Sequence, residues 1–159
     1  MSTTAPLIYW FRQDLRLADN AGLTAAIASG RPVIPLYIHD TGKGTRPWGG
    51  ASLWWLHHSL ERLNESLNGA LVLRRGPALE VLQDVLRETG AAGVMWGRCY
   101  EPYAIDRDMA IKKALQADGK IAESHNTGLL FEPWEVQNKS GKPFQVFTPF
   151  WKHCLASPT

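Results

Sequence analysis

Leu7-Ile8-Tyr9-Trp10-Phe11-Arg12-Gln13-Asp14-Leu15-Arg16-Leu17-Ala18-Asp19-Asn20 passes from five apolar residues, entered through Pro6, into a turn that crowds two arginines and two aspartates. A short unbroken apolar run bounded by polar residues predicts a strand buried on both faces. Asp19 or Asn20 then offers a side-chain oxygen to open backbone amides, and Leu23, Ala26 and Ile27 follow at helical spacing up to Ser29-Gly30. That predicts a capped first helix. Strand then helix is half of a βαβ unit, and the rest of the chain repeats it.

Working outward, Val33 to Ile38 is the second apolar run, with Pro35 inside it as a residue that cannot donate to a ladder. Five breakers between Asp40 and Gly50 (Gly42, Gly44, Pro47, Gly49, Gly50) predict a loop. Leu53, Leu56, Leu60, Leu63 and Leu67 alternate steps of three and four, which predicts a helix over Gly50 to Leu67. Ala70 to Leu73 is a third strand, Ala78 to Thr89 a helix, and Gly93 to Trp96 a fourth strand. Pro102 opens another helix, which carries Ile105, Met109 and Leu115 to a stop at Gly119, and Lys120 to Glu123 begins a fifth strand. The alternation predicts an α/β fold: a doubly wound, five-stranded parallel sheet with helices on both faces and strand order 3-2-1-4-5. Ligands of such sheets sit beyond the carboxyl ends of the strands, where the order reverses, so the residues after strands 1, 2 and 4 are the candidates.

From Leu129 onward the alternation stops, and aromatics mix with Pro133, Pro143, Pro149 and Pro158. We expect residues 1–128 to form the α/β domain and 129–159 the start of an interdomain connector whose Phe144, Phe147, Phe150 and Trp151 need covering. Hydrophobic residues make up 45% of the 159 and charged residues 20%, as in ordinary globular domains, and a net charge of +2 does not announce a nucleic-acid surface. Cys99 and Cys154 are far apart and lack metal-ligand spacing, no apolar run approaches a membrane span, and Met1 to Pro6 do not resemble a signal peptide. A reduced, cytoplasmic protein without membrane contact is expected. His57 and His58 are adjacent, about 100° apart around a helix, which is poor geometry for one metal, so no metal site is expected.

Three more stretches stand out. Gly49-Gly50-Ala51-Ser52-Leu53-Trp54-Trp55 opens the long helix with free amides, and Trp54 and Trp55 cannot both face its leucine stripe; core filling is the expected role for one of them. Trp96-Gly97-Arg98-Cys99-Tyr100-Glu101-Pro102 leaves strand 4, with Asp106-Arg107-Asp108 on the helix behind it. Phe147-Thr148-Pro149-Phe150-Trp151-Lys152 lies near the end. On residue chemistry alone, the turn after strand 1 is either a ligand contact or a brace in which Asp14 and the arginines hold the loop and Asn20 caps the helix. Glu101 is either a ligand acceptor or a charge favouring the helix dipole.

Together these stretches resemble the N-terminal α/β domain of the DNA photolyase and cryptochrome family. The family reads Trp-Phe-Arg, Asp-Leu-Arg and Asp-Asn before the first helix, Glu-Pro and then Arg-Asp after strand 4, and Thr-Pro-Phe-Trp before a long connector. Leu53 departs from it, since members often carry Arg there. The resemblance implies a lyase, most like a bacterial deoxyribodipyrimidine photolyase, that uses FAD and light to repair pyrimidine dimers in UV-damaged DNA. It assigns FAD and the chemistry to a C-terminal helical domain, so no catalytic residue is expected here and the 159 residues alone are expected to be inactive.

The resemblance also places an antenna chromophore in the crevice, with Phe11, Arg12, Asp14, Tyr37, His39, Trp48, Gly50, Cys99 and Glu101 as expected contacts. Glu101 matches the carboxylate of folate-binding members, making methenyltetrahydrofolate the first choice. Deazaflavin and FMN are the alternatives, and deazaflavin carriers often have Asp where this chain has Cys99. A cryptochrome would share every motif. A nucleotide-binding domain of the electron-transfer flavoprotein kind is the rival of another class, disfavoured because neither Gly-x-Gly-x-x-Gly nor a Walker loop occurs.

Overall fold

A computed structural model describes residues 4–44 and 47–157. Expectations that touch Met1 to Thr3, Thr45 and Arg46 in the glycine-rich loop, and Pro158 and Thr159 lie outside the described residues. The elements run β1 Leu7–Phe11, α1 Ala21–Ala28, β2 Val33–Asp40, α2 Gly50–Ser66, β3 Val72–Gly76, α3 Ala78–Thr89, β4 Gly93–Gly97, α4 Pro102–Ala117, β5 Ile121–His125 and α5 Phe147–Ala156. All five strands are parallel and hydrogen-bonded in the order β3-β2-β1-β4-β5, as the alternation predicts. No helix among the described residues is long and apolar enough to cross a membrane.

β1 is buried along its whole length because helices cover both faces of the sheet. Ile8 and Trp10 point to one face, where Leu36, Ile38, Val94 and Trp96 meet α3 through Leu82 and Val85 and α4 through Ile111 and Leu115. Leu7, Tyr9 and Phe11 point to the other, against Leu23 and Ala26 of α1 and Leu63 of α2. Each fully buried large side chain contributes roughly 1.5–3 kcal/mol. Pro35 sits opposite Tyr9, and pairing with β3 begins only at Leu36, so no ladder bond on that side is lost.

Strands β2 to β5 reach farther than their apolar runs predict. The polar residues Asp40, Arg75 and His125, and the side-chain-free Gly97, end the hydrophobic signal while their backbones stay in the ladder. On α4 the inward line is Ala104, Asp108, Ile111 and Leu115, whereas Ile105 and Met109 are exposed.

The chain divides into two compact units, Met1–Thr127 and Gly128–Thr159. The second, expected to be irregular, holds α5. Pro149 is only the third residue of that helix, where an amide has no intrahelical partner, so the proline is tolerated. Within this unit Phe147 stacks on Trp151, with ring centroids 6.2 Å apart.

Candidate functional site

The turn after β1 is held from inside. The Tyr9 hydroxyl lies 2.8 Å from Asp14 Oδ2 and 2.7 Å from Asn20 Oδ1, and the Arg12 amide donates to Asp14 Oδ1 at 3.1 Å. Asn20 caps α1 by accepting from the Leu23 amide at 3.1 Å. Burial first, then the Asp14 carboxylate, pushes the Tyr9 phenol far above its ordinary range, so it remains a donor. The turn closes against β4 at Gly97, where a Cβ would collide with Thr127 Oγ1 and Asp14 Oδ2. Glycine is the residue that fits.

With the turn fixed, the Arg12 guanidinium reaches across the carboxyl ends of the strands. Its Nη1 donates to both oxygens of Asp108 at 2.8 and 2.9 Å, and its Nη2 to the Gly97 carbonyl. Asp108 also accepts from Trp96 Nε1 at 3.2 Å and from Arg107 at 2.9 and 3.0 Å. Arg107 Nη1 continues to Asp40 Oδ2 at 2.9 Å, and Asp40 Oδ1 accepts the Gly42 and Ala78 amides. Two guanidinium groups and two carboxylates thus cancel, and none of these side chains is more than 20% exposed. Both guanidinium groups lie over the Trp10 ring, at 4.7 and 5.1 Å from its centroid.

This network floors a crevice of about 520 Å³ beyond the carboxyl ends of β1 to β4, walled by the start of α2 and by α4. Five of the expected contacts line it: Arg12, Tyr37, His39, Trp48 and Cys99. Phe11, Asp14, Gly50 and Glu101 do not. Phe11 is fully buried and faces α1 and α2, because β1 alternates and Trp10 takes the crevice face. Asp14 is consumed by the turn, so the bracing reading holds for it. Gly50 stands exposed at the opening of α2, and Glu101 Oε1 accepts from Gln13 Nε2 at 3.0 Å.

Sequence reasoning missed Trp10, Asp40, Arg75, Tyr103 and Arg107, which also line the crevice. The available signal was their position at strand ends and on the first turns of α4.

Burial pushes the Tyr37 phenol up to about 12 and raises Cys99 and Tyr103, so thiol and phenols stay protonated. Burial works against the Arg107 charge, yet Asp108 and Asp40 together raise its pKa. The hydrogen bond from Gln13 is the main cause that lowers Glu101. Paired charges beside protonated thiol and phenol groups suit the binding of a polar planar ligand better than covalent chemistry. Two buried donors in the wall, Trp10 Nε1 and Arg12 Nε, have no acceptor, and a ligand carrying carbonyl or ring-nitrogen acceptors fits that deficit.

Outside the crevice two expectations change. Trp54 and Trp55 are 62% and 71% exposed, so neither fills the core; Trp54 sets its edge against His58, with centroids 4.4 Å apart. Ligand atoms of His57, His58 and Glu61 lie within 4.8 Å of one another, because side-chain rotation overcomes the angular separation of adjacent positions. All three are exposed, and His58 Nδ1 already meets Glu61 at 3.2 Å.

The sequence pattern of the family described as DNA photolyase matches residues 7–159. A deoxyribodipyrimidine photo-lyase of Agrobacterium fabrum is 50% identical over 152 residues, covering 94% of this chain and 31% of that protein. Cryptochrome-1 of Arabidopsis thaliana is 40% identical over 156 residues, covering 95% of this chain and 23% of that protein. The crystal structure of a bacterial class III photolyase from Agrobacterium tumefaciens superposes with a TM-score of 0.90 at 48% identity, over 98% of this chain and 32% of that one. The chain spans about a third of the length of these photolyases.

Proposed function

The chain belongs to the DNA photolyase family, and from that premise we propose that its α/β domain seats an antenna chromophore for a longer protein that repairs pyrimidine dimers in DNA under light. The observation that carries the reading is the preformed crevice with two unspent buried donors, Trp10 Nε1 and Arg12 Nε, above a self-neutralised floor. When bound, such a chromophore absorbs near-ultraviolet or blue light and hands the excitation on. The chain's own work is to hold and orient it. Trp48 and Tyr103 supply apolar surface from opposite walls, Arg12 is fixed by Asp108 so that its remaining N–H is aimed without reorganisation, and the protonated Cys99 and Tyr37 add no charge.

Methenyltetrahydrofolate remains our first choice. The match of Glu101 to the carboxylate of folate-binding members supports it, although Glu101, held by Gln13 through one carboxylate oxygen, stands outside the crevice lining. FAD, the repair step and the DNA substrate belong in this proposal to the remainder of the longer protein. The 40% identity to cryptochrome-1 favours one second reading, a blue-light receptor with the same chromophore domain.

Expressing the full reading frame and recording its absorption tests both. Flavin bands with a separate near-ultraviolet antenna band, together with light-dependent loss of thymine dimers, are expected for the repair enzyme. The same spectrum without dimer loss would favour the receptor, and a colourless protein would sink both.

A further inference from the structure

Every charge on the crevice floor has a partner, and one lining charge does not. Arg75 at the end of β3 has no carboxylate partner among the described residues, and strand alternation sends its neighbour Arg74 to the other face, where it meets Glu88 on α3 at 3.0 Å. In the β2–β3 register Arg75 stands beside His39, which also lines the crevice. On the same side α2 opens at Gly49 with no side-chain cap and no acidic residue in its first turn, leaving amides and the positive end of the helix dipole toward Trp48. The carboxylate among the described lining residues, Asp40, is spent on Arg107 and on the Gly42 and Ala78 amides. Trp10 Nε1 and Arg12 Nε, both buried, add unspent donors on the floor. The unspent charge at the β3 rim therefore calls for negative charge, and the unspent buried N–H groups of the floor call for neutral acceptors.

We infer that the crevice takes an anionic heterocycle, and that Arg75, backed by His39 and the open end of α2, is the specificity-determining residue that holds its carboxylate or phosphate. The inference rests on the crevice being the chromophore site and adds which feature of the ligand is read. The floor excludes a second negative group, since its guanidinium groups are already matched by Asp108 and Asp40. A ligand's neutral ring belongs between Trp48 and Tyr103, and its charged tail at the β3 rim.

Two pairs of probes separate ring from charge: FMN with riboflavin, and methenyltetrahydrofolate with its glutamate dimethyl ester, whose tail is neutral. Each is titrated into the chain and into Arg75→Gln by ligand fluorescence, at low and high salt. The anionic member of at least one pair should bind the wild-type chain about tenfold tighter than its neutral-tailed counterpart, the scale of one hydrogen bond to a charged group. Arg75→Gln should remove most of that gap without changing affinity for the neutral-tailed counterpart, and added salt should narrow it. Arg75 is exposed, so circular dichroism should show the fold unchanged. Equal affinities within both pairs, or a gap that survives Arg75→Gln, overturns the assignment of Arg75 and leaves the crevice reading standing. Failure of all four probes to bind overturns both.

Discussion

Asp108 binds Arg12, Arg107 and the Trp96 indole at once, and its sequence context shows only an acid beside an arginine. Replacing it with asparagine leaves two guanidinium groups over Trp10 with half their countercharge. Removing one partner of a buried ion pair costs about 3–5 kcal/mol, so Asp108→Asn should lower the unfolding free energy by at least the lower figure and move the urea midpoint down accordingly. An unchanged midpoint would mean the network is ornamental. Gly97→Ala tests the close approach of β4 to the turn. The new Cβ must displace Thr127 or Asp14, and we expect a loss of about 1–3 kcal/mol, with a downward shift in melting temperature. At this scale the sequence was half legible. Arginine and aspartate in the first turn pointed to chemistry, but which of them faces the crevice depended on contacts across nearly a hundred residues. Arg12 found Asp108, and Asp14 found Tyr9.

Elements were read more securely than their ends. Apolar periodicity located all five strands, since burial on both faces leaves an uninterrupted signal. It could not see the last residues of β2 and β3, whose side chains leave the core to line the crevice while their amides still pair. α5 was invisible for a related reason: its Pro149 reads as a breaker unless the start of the helix is known. Capping is testable here, because Asn20→Ala removes the side-chain acceptor for the Leu23 amide and a contact of Tyr9. A loss of about 1 kcal/mol in chemical denaturation is expected. At the end of β5, burial lowers the folded-state pKa of His125 below its ordinary 6.5. The stabilisation from keeping this ring neutral is full above that value and is lost as pH falls through the folded pKa. Between pH 7.5 and 5 the wild-type chain should therefore lose more stability than His125→Gln. Parallel pH curves would contradict it.

The whole molecule is where resemblance and physics met best, because a parallel sheet with helices on both faces follows from alternation alone and four ordered motifs then singled out one family. What neither supplied is the division of labour across photolyases, of whose length this chain spans about a third. If flavin belongs to another part, these 159 residues purified alone should carry no stoichiometric FAD, which an absorption spectrum of the purified chain checks directly; a full complement of flavin would relocate the cofactor.

The self-neutralised floor has one more consequence. Because Arg12, Arg107, Asp40 and Asp108 satisfy one another, the shape of the crevice floor does not depend on what the crevice holds. Under the proposed function, substitutions around the mouth can then exchange one dye for another without refolding the protein. On that reading the fold is a standing fixture, and the lamp fitted to it a replaceable part.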